Sequence, residues 1–275
     1  LLGHEGVHLV QLGLERGDRV CMLSPNSHFY LESFYAAAQV GIILVPLNYR
    51  LVAADHEYIL NHSGVRAVLV DWEYTGVVDE IRDQLPKVEH WIVAQDEGDV
   101  PAGWTCWNEL VTKASAAPPT RPEIGENETV SINYTSGTTS RPKGVIMTHR
   151  NSYLNAYNMI VHNGLTHEDV ELWTLPMFHC NGWGGVFAMT ALAGKHVILR
   201  TIDGDEIMQL IADEGVTFAC MAPAVLRTIL DTPNKERFDV KTKPRFTVAG
   251  APPPSAFIER LEKEMGWQFV QIYGL

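Results

Sequence analysis

Hydroxyl-bearing residues, glycines and one lysine are concentrated between residues 134 and 144 of this 275-residue chain, which read YTSGTTSRPKG. Small residues let backbone N–H groups approach phosphate oxygens, Ser and Thr hydroxyls add donors, and Lys143 supplies a positive charge. An ordinary hairpin turn is the alternative, but it needs only about two to five polar residues and no lysine. Because residues 135–140 alone carry five hydroxyls, the stretch predicts a phosphate-binding loop.

Gly137 and Lys143 are six positions apart, as in the Walker A loop of P-loop phosphotransferases, but other positions do not match. Pro142 stands at the second Walker glycine, and Gly144 stands at the magnesium-binding Ser or Thr. Apolar residues alternate up to Tyr134 and an extended Val-Ile-Met run follows the loop, whereas a Walker loop leads into a helix. The loop is therefore expected to join two strands, which disfavours a P-loop phosphotransferase.

The run from Tyr134 to Val145 resembles the phosphate-loop signature of the adenylate-forming superfamily, which includes acyl-CoA synthetases, luciferases and peptide-synthetase adenylation domains. The commonest form of that signature has Gly at the position of Ser140, a change that leaves the phosphate donors in place. The resemblance implies catalytic roles for Lys143 and Thr135, which would stabilise charge moving onto pyrophosphate. It also implies that the ATP phosphates contact Thr135, Ser136, Gly137, Thr138, Thr139 and Lys143.

A second stretch, residues 176–185, reads PMFHCNGWGG and is expected to leave a strand and open a helix, where α/β proteins usually bind ligands. Three glycines around Trp183 lack side-chain volume and predict a narrow apolar slot, although residue types alone favour an aromatic core cluster. The stretch is similar to the substrate-pocket motif of medium-chain acyl-CoA synthetases and plant acyl-activating enzymes. That similarity implies a catalytic role for His179, near the substrate carboxylate. The implied substrate-binding residues are Phe178, His179, Asn181, Gly182, Trp183, Gly184 and Gly185.

A third stretch, residues 247–254, reads TVAGAPPP, so that a strand runs into Gly250 and then into prolines. Gly250 permits close approach of the backbone to a ligand, although a simple strand-to-helix turn explains the local sequence equally well. The family resemblance favours a site for adenine. Gly250, Ala251 and Pro252 match the backbone strip beneath the base, and Tyr273 and Gly274 match the motif whose tyrosine ring covers its other face.

Strand and helix patterns alternate along the rest of the chain. Strands are predicted over residues 19–23, 42–45, 67–70, 90–94, 171–175, 195–199 and 217–221. Helices are predicted over residues 27–40, 54–61, 74–85, 148–162, 205–214 and 254–265. This alternation predicts an α/β fold of mainly parallel sheets flanked by helices, and the resemblance implies part of the large N-terminal domain of an adenylate-forming enzyme.

Residues 114–127 are rich in Pro, Ala and Thr and lack periodicity, which indicates a connection between subdomains. The predicted organisation is a first α/β subdomain over 1–117, a connection over 118–128, and a second α/β subdomain over 129–275 that holds the nucleotide and acyl sites. In the family, a magnesium-binding Glu, a ribose-binding Asp and a mobile C-terminal domain follow Tyr-Gly-Leu. The chain is therefore expected to be an N-terminal-domain fragment that is inactive alone.

Composition narrows the possible partners. The formal net charge of −12 disfavours nucleic-acid binding, which relies on clustered Lys and Arg. The four cysteines are far apart without a CxxC pair, so neither a disulfide framework nor a zinc site is indicated and a reducing cytoplasm is favoured. No apolar run reaches the ~20 residues of a membrane span, so no integral membrane contact is expected. The chain begins at Leu1 rather than at Met, so a leader segment removed from the protein is one open alternative.

Taken with the resemblance, these features predict an AMP-forming acyl-CoA synthetase that uses ATP, Mg²⁺ and CoA to activate a medium-chain fatty acid. The carboxylate would attack the α-phosphorus of ATP, and the CoA thiol would then displace AMP. No general base is required because a carboxylate is already ionised at neutral pH. The alternatives are a ligase for aryl or short-chain acids, transfer to a carrier protein, and a non-catalytic ATP- or AMP-binding fragment. A homodimer is compatible with the sequence.

Overall fold

The computed structural model describes residues 5–113, 121–135 and 141–273. The chain divides into two compact units, one made of residues 1–155 and 177–181 and the other of residues 156–176 and 182–275. Each unit has its own sheet and its own hydrophobic core. The predicted α/β class with mainly parallel sheets is confirmed.

Seven strands form the sheet of the first unit within the residues that the structure describes. They are β1 (Arg19–Leu23), β2 (Ile43–Leu47), β3 (Ala67–Asp71), β4 (His90–Ala94), β5 (Thr105–Cys106), β6 (Thr129–Thr135) and β7 (Lys143–Thr148). Their spatial order is β5-β4-β3-β1-β2-β6-β7, and only the β6–β7 pair is antiparallel. The first unit therefore places the carboxyl ends of β2 and β6 side by side.

The helices of the first unit connect these strands. They are α1 (Glu5–Gln11), α2 (His28–Ala38), α3 (Ala53–Ser63), α4 (Thr75–Asp79), α5 (Trp107–Lys113) and α6 (His149–Asn163), of which α6 continues into the second unit. Ser27 caps α2 as predicted, because its side chain accepts a hydrogen bond from the backbone N–H of Tyr30. Gly41 follows α2 with a φ of 76°, which glycine adopts without a Cβ penalty. β3 is buried along its whole length, as parallel strands covered on both faces are.

The helix predicted over residues 74–85 is shorter in the structure. The segment consists of a 3₁₀ turn over Trp72–Tyr74, then α4, then a second 3₁₀ turn over Arg82–Gln84. The interruption falls at Glu80 and Ile81, between α4 and the second 3₁₀ turn.

The boundary between the units also differs from the predicted connection at residues 118–128. β6 pairs with β2, and β7 pairs with β6, so both strands extend the first sheet instead of starting a new one. The chain enters the second unit at Ala156, within α6. A Pro-rich stretch can link two strands of one sheet as readily as two subdomains, and composition alone does not distinguish these cases.

The sheet of the second unit is parallel throughout its described residues, with spatial order β12-β11-β10-β8-β9. Its strands are β8 (Val170–Trp173), β9 (Lys195–Ile198), β10 (Phe218–Met221), β11 (Arg245–Val248) and β12 (Gln268–Gln271). The helices are α7 (Cys180–Trp183), α8 (Gly185–Ala191), α9 (Gly204–Glu214), α10 (Pro223–Asp231) and α11 (Ser255–Arg260). The helix predicted over 254–265 is α11 followed by a π-helical turn over Leu261–Met265. Among the described residues, no helix is both long and apolar enough to cross a membrane.

Candidate functional site

The β6–β7 hairpin brings together the two ends of the predicted phosphate loop. Thr135 and Lys143 are opposite each other in the antiparallel register, and both are exposed. The loop thus joins two strands, as the sequence predicts. The remaining loop residues assigned to phosphate, Ser136, Gly137, Thr138 and Thr139, lie outside the described residues.

Gly144 shows why the Walker A pattern fails at this position. A Cβ on Gly144 would lie 2.9 Å from Cγ2 of Ile132 and 3.3 Å from Cζ of Tyr134. The close packing of β7 on these side chains excludes the Ser or Thr that a Walker loop carries here. The departure from Walker A therefore has a steric reason within the hairpin.

The segment Met177–Asn181, which carries part of the predicted acyl motif, is held in the first unit by amide side chains. The backbone N–H of Met177 donates to Oδ1 of Asn26 at 2.8 Å, and Nδ2 of Asn133 donates to the carbonyl oxygen of Phe178 at 3.4 Å. Asn26 and Met177 are both buried. These contacts fix the backbone at Met177 and at Phe178. The side chains of Phe178 and His179 therefore project from a defined backbone position.

Ser131, Asn133 and Asn181 form a closed ring of three hydrogen bonds. Ser131 Oγ donates to Asn133 Oδ1 at 3.2 Å, and Asn133 Nδ2 donates to Asn181 Oδ1 at 2.9 Å. Asn181 Nδ2 donates back to Ser131 Oγ at 2.9 Å. The side chain of Asn181 is thus engaged at both ends, and the residue is only 3% exposed. These contacts hold the segment in place through Asn181, and contact of Asn181 with substrate stays a prediction.

A cavity of about 400 Å³ opens in the first unit at the carboxyl ends of β2 and β6. Three predicted site residues, Thr135, Phe178 and His179, line this one cavity. The volume is within the range of small-molecule sites. Lys143 does not line the cavity, although its neighbour Pro142 does. The structure therefore brings the phosphate-loop start and the acyl motif together around one space.

The cavity also contains residues that sequence reasoning missed. Pro46, Leu47, Leu51 and Ile59 supply apolar surface, whereas Asn48 and Asp55 supply polar groups. The sequence does contain a signal for Asn48, because this residue directly follows β2 and ligands bind beyond the carboxyl ends of parallel strands. The residue types around Pro46 by themselves suggest only a structural role.

His179 and Cys180 affect each other's protonation at the edge of this cavity. A hydrogen bond between the two side chains raises the pKa of His179 and lowers the pKa of the Cys180 thiol. Both residues are exposed. His179 is therefore exposed at the edge of the cavity, and its raised pKa favours the charged form of its ring.

The backbone of residues 180–183 has left-handed φ angles. Cys180, Asn181, Gly182 and Trp183 have φ values of 50°, 52°, 57° and 56°. Gly and Asn tolerate this region, whereas other L-residues lose roughly 1–2 kcal/mol each. α7 is thus one left-handed turn, and the right-handed helix predicted to follow the strand begins only at Gly185. Backbone strain of this kind is concentrated at functional sites.

Neighbouring side chains occupy the space beside Gly182 and Gly185, so this space is not open. A Cβ on Gly182 would lie 2.3 Å from Cζ3 of Trp173, and a Cβ on Gly185 would lie 2.8 Å from Oε1 of Glu171. The volume that the missing Cβ atoms leave is therefore occupied by two side chains of β8. This is a correction to the predicted slot at these two glycines, because a sequence pattern does not show which neighbour fills a vacated volume.

Trp173 is held by a partly buried chain of hydrogen bonds. Its Nε1 donates to Nδ1 of His196 at 2.9 Å, and Nε2 of His196 lies 3.0 Å from Oγ1 of Thr190. Because an indole nitrogen can only donate, Nδ1 of His196 accepts and Nε2 carries the proton. Thr190 Oγ1 in turn donates to the carbonyl oxygen of Val186 at 3.0 Å. Burial lowers the pKa of His196 to about 4, which agrees with a neutral ring.

Glu171 lies two residues before Trp173 on the same strand and is 2% exposed. Its Oε2 atom is buried without a hydrogen-bond partner among the described residues. Burial raises the pKa of the Glu171 carboxyl group to about 8, so that the group is mostly protonated at neutral pH. The second unit thus contains a neutral buried acid against the backbone of Gly185.

The residues assigned to adenine follow neighbouring parallel strands of the second unit. Val248 of β11 is paired with Gln271 of β12, so Gly250 and Tyr273 each lie two residues past the paired position. Gly250 has a φ of 91°, and a Cβ there would meet no atom within 4 Å. Ala251 and Pro252 are exposed, and Tyr273 is 82% exposed. Gly274 lies outside the described residues. This sheet edge offers open backbone beside a free aromatic ring.

The family described as "AMP-binding enzyme" matches this chain over residues 6–275. Among curated proteins, the chain is 34% identical to 4-hydroxybutyrate–CoA ligase 2 of Metallosphaera sedula, over 97% of this chain and 49% of that protein. It is 33% identical to 2-methylpropanoate–CoA ligase CCL4 of Humulus lupulus and to a long-chain-fatty-acid–CoA ligase of Thermus thermophilus. Those two matches cover 97% and 96% of this chain, and 49% and 48% of the respective relatives. The chain therefore spans about half the length of the curated relatives it matches.

Solved structures show the same fold. The N-terminal domain of FACL13 from Mycobacterium tuberculosis superposes with a TM-score of 0.87 at 29% identity, covering 100% of this chain and 67% of that one. The anthranilate CoA ligase AuaEII, in complex with anthranoyl-AMP, gives a TM-score of 0.91 at 23% identity, over 100% of this chain and 53% of that one. The second likeness, at its lower identity, bears on the fold alone.

Proposed function

Since the chain belongs to the family of AMP-binding enzymes, we propose that it forms the nucleotide- and acid-binding half of an acyl-CoA synthetase. Such an enzyme activates a carboxylic acid as its acyl-adenylate and transfers the acyl group to the thiol of CoA. The observation that carries the proposal is the single cavity lined by Thr135 of the hairpin and by Phe178 and His179 of the acyl motif.

In the first step, a carboxylate oxygen bonds to the α-phosphorus of ATP and pyrophosphate leaves. Negative charge moves onto the leaving phosphates, where the exposed Lys143 and the hydroxyl of Thr135 would stabilise it. His179, whose pKa is raised, would attract and orient the substrate carboxylate at the cavity edge. The carboxylate is ionised at neutral pH, so the step needs no general base.

In the second step, the CoA thiolate attacks the acyl carbonyl carbon and AMP leaves. The adenine ring would lie on the backbone of Gly250, Ala251 and Pro252 with Tyr273 against its other face. Stacking a base on an aromatic ring contributes roughly 1–3 kcal/mol. Mg²⁺, bound together with the ATP phosphates, would neutralise part of their charge. Within the described residues, no group of three or more His, Cys, Asp or Glu side chains could hold a metal ion.

We place the acid in the aliphatic class, with medium chain length as the specific proposal and the cytoplasm as the compartment. The names of the relatives above extend from four-carbon acids to long-chain acids. Apolar cavity walls at Pro46, Leu47, Leu51 and Ile59 support an aliphatic substrate arm. Aryl acids and a carrier-protein acceptor are the alternatives within the same chemistry.

A second candidate is a nucleotide-binding chain that performs no complete reaction. The observation that favours it is the open backbone of Gly250 beside the exposed ring of Tyr273, which suits a nucleotide whether or not a reaction follows. This candidate predicts that residues 1–275 bind AMP but form no acyl-CoA. Formation of acyl-CoA by the pure 275-residue chain, detected by mass spectrometry, would exclude it.

The test of the main proposal is Lys143→Ala in the complete natural protein that carries this chain. Pyrophosphate exchange should fall by about 100-fold, the magnitude typical of losing one group that stabilises transition-state charge. Thioester formation from supplied acyl-adenylate should change much less, because no pyrophosphate leaves in that step. Lys241→Ala, at a lysine that is 81% exposed in the second unit, is the matched control. Equal losses in both half-reactions would contradict the role given to Lys143.

A further inference from the structure

Two aromatic side chains on α3 form a column one helical turn apart. The rings of Tyr58 and His62 are stacked, with centroids 5.3 Å apart and an interplanar angle of 26°. Residues four positions apart on a helix face the same way, which explains why the two rings meet. The column therefore belongs to the helix itself and presents a continuous face.

Tyr134 of β6 and Arg141, which lies two residues before β7, both contact this column. Nδ1 of His62 lies 2.7 Å from the hydroxyl oxygen of Tyr134, and the two rings meet edge to face at 5.8 Å. The guanidinium carbon of Arg141 lies 5.2 Å from the centroid of Tyr58, within the range of a cation–π contact. Tyr134 directly precedes Thr135, and Arg141 lies two residues before Lys143. The column thus contacts the residue before Thr135 and the residue two positions before Lys143.

α3 is a firm support for these contacts. Ile59 and Leu60, between the two column residues, are each 1% exposed and lie in the core of the first unit. The helix ends at Gly64, which has a φ of 65°, and the carbonyl oxygens of Ser63 and Gly64 accept hydrogen bonds from Arg19 at 2.8 and 2.6 Å. Tyr58 and His62 therefore project from a helix that is packed into the core by Ile59 and Leu60.

We propose that Tyr58 and His62 are positioning residues that hold Thr135 and Lys143 where ATP phosphates bind. The inference rests on the proposed function, because it assumes that these two hairpin residues contact phosphate. Its physical basis is preorganisation: groups that are already fixed lose less conformational freedom when the ligand binds. Neither Tyr58 nor His62 needs to contact ATP.

The test uses Tyr134→Phe and His62→Phe in the complete natural protein. Tyr134→Phe removes one hydroxyl and keeps the ring, whereas His62→Phe keeps a ring for stacking on Tyr58 and removes both nitrogens. Tyr153→Phe is the matched control, since Tyr153 is 71% exposed on α6. Pyrophosphate exchange is measured with ATP and the acid varied separately, and the unfolding midpoint of each variant is recorded.

Tyr134→Phe and His62→Phe should each raise the KM for ATP about 10-fold, in the range expected for one lost positioning contact, and leave the KM for the acid unchanged. Tyr153→Phe should change neither KM value. The double variant should be no worse than either single variant, because both remove the same hydrogen bond. A purely structural role would instead lower the unfolding midpoint and change both KM values together. That result, or an unchanged KM for ATP, overturns the inference. Absence of exchange in the wild-type protein would reject the proposed function itself, whereas active wild type with unaffected variants rejects only the positioning role.

Discussion

The two units hold their candidate residues by different means. In the first unit, neutral polar side chains do so, since Ser131, Asn133 and Asn181 satisfy one another in a closed ring. In the second unit, β8 side chains fill the space beside glycines, as Trp173 does at Gly182. The first arrangement depends on hydrogen-bond direction, and the second depends on volume.

The difference also concerns charge. The ring in the first unit contains no ionisable group, so its hydrogen bonds are the same at every ordinary pH. In the second unit, burial raises the pKa of Glu171 to about 8 and lowers the pKa of His196 to about 4. We therefore expect the first unit's ring to be sensitive to isosteric amide changes, and the second unit's packing to be sensitive to added methyl groups and to pH.

Gly182→Ala should have the largest effect on stability. The new Cβ would lie 2.3 Å from Trp173 and would also occupy a left-handed φ of 57°. Overpacking and left-handed φ together should cost about 3 kcal/mol or more. Gly164→Ala is the matched control in the same unit, because Gly164 has a φ of 58° but an added Cβ there would meet no atom within 4 Å. Urea unfolding measures the stability of both variants. Equal losses of stability would show that the Trp173 side chain moves aside at no cost in free energy.

Glu171→Gln should change how stability depends on pH. The folded carboxyl group, with a pKa of about 8, keeps its proton where the unfolded group, with an ordinary value of 4.5, is ionised. The folded state therefore binds more protons between these values, and the free energy of unfolding falls as pH rises, by about 1.4 kcal/mol per pH unit. Between pH 5 and pH 7 the wild type should lose about 3 kcal/mol that the variant does not lose.

The comparison between wild type and Glu171→Gln also separates Glu171 from His196. The lowered pKa of His196 acts in the opposite direction, because stability then rises with pH between about 4 and 6.5, and this contribution is common to both proteins. Glu168→Gln, at an exposed position of the same unit, is the control. Parallel urea-unfolding curves for all three proteins at pH 5, 6, 7 and 8 would show that Glu171 is not buried as described.

Asn133→Asp should destabilise the first unit by about 2 kcal/mol at neutral pH, because an acceptor would replace the donor that faces Asn181 Oδ1. The loss should shrink at low pH, where a protonated Asp can donate again. Asn61→Asp is the matched control, since the amide of Asn61 makes one exposed hydrogen bond to the carbonyl oxygen of Gln84. Equal losses in urea unfolding would mean that the closed ring adds nothing beyond a single hydrogen bond.

Much of the fold followed from local patterns. β1 and β4 have the predicted bounds, and Ser27 caps α2 as predicted, although α2 ends at Ala38, three residues before the predicted stop at Gly41. Patterns of this kind report local preferences, which is why they did not reveal that β6 and β7 extend the first sheet. Sheet membership depends on pairing between distant residues, which periodicity within one segment does not encode.

The candidate site was predicted unevenly for a related reason. Hydroxyls, glycines and Lys143 carry their chemistry in their residue types, so the sequence alone marks them as candidates. The role of Asn181 depends on partners 48 and 50 residues away, which only the folded chain brings together. The filling of Gly182 by Trp173 likewise depends on side-chain direction across β8 and the left-handed turn.

Gly250→Ala should have the smallest effect on stability of the substitutions described here. Gly250 is unlike Gly182, because its φ of 91° is unfavourable for alanine but a Cβ would meet no atom within 4 Å. The stability loss should therefore be only about 1 kcal/mol. Gly215→Ala is the matched control, since Gly215 in the same unit has a φ of 68° and equally open surroundings.

AMP binding should separate these two glycine variants. If adenine lies on the Gly250 backbone, a methyl group there occupies the space of the base, and AMP affinity should fall about 10-fold, equivalent to about 1.4 kcal/mol. Gly215→Ala should leave the affinity unchanged, because Gly215 follows α9 and is not among the residues assigned to adenine. Calorimetric titration of both variants with AMP measures the difference. Equal AMP affinities would make Gly250 a turn residue only, and the open backbone beside Tyr273 would then need another occupant.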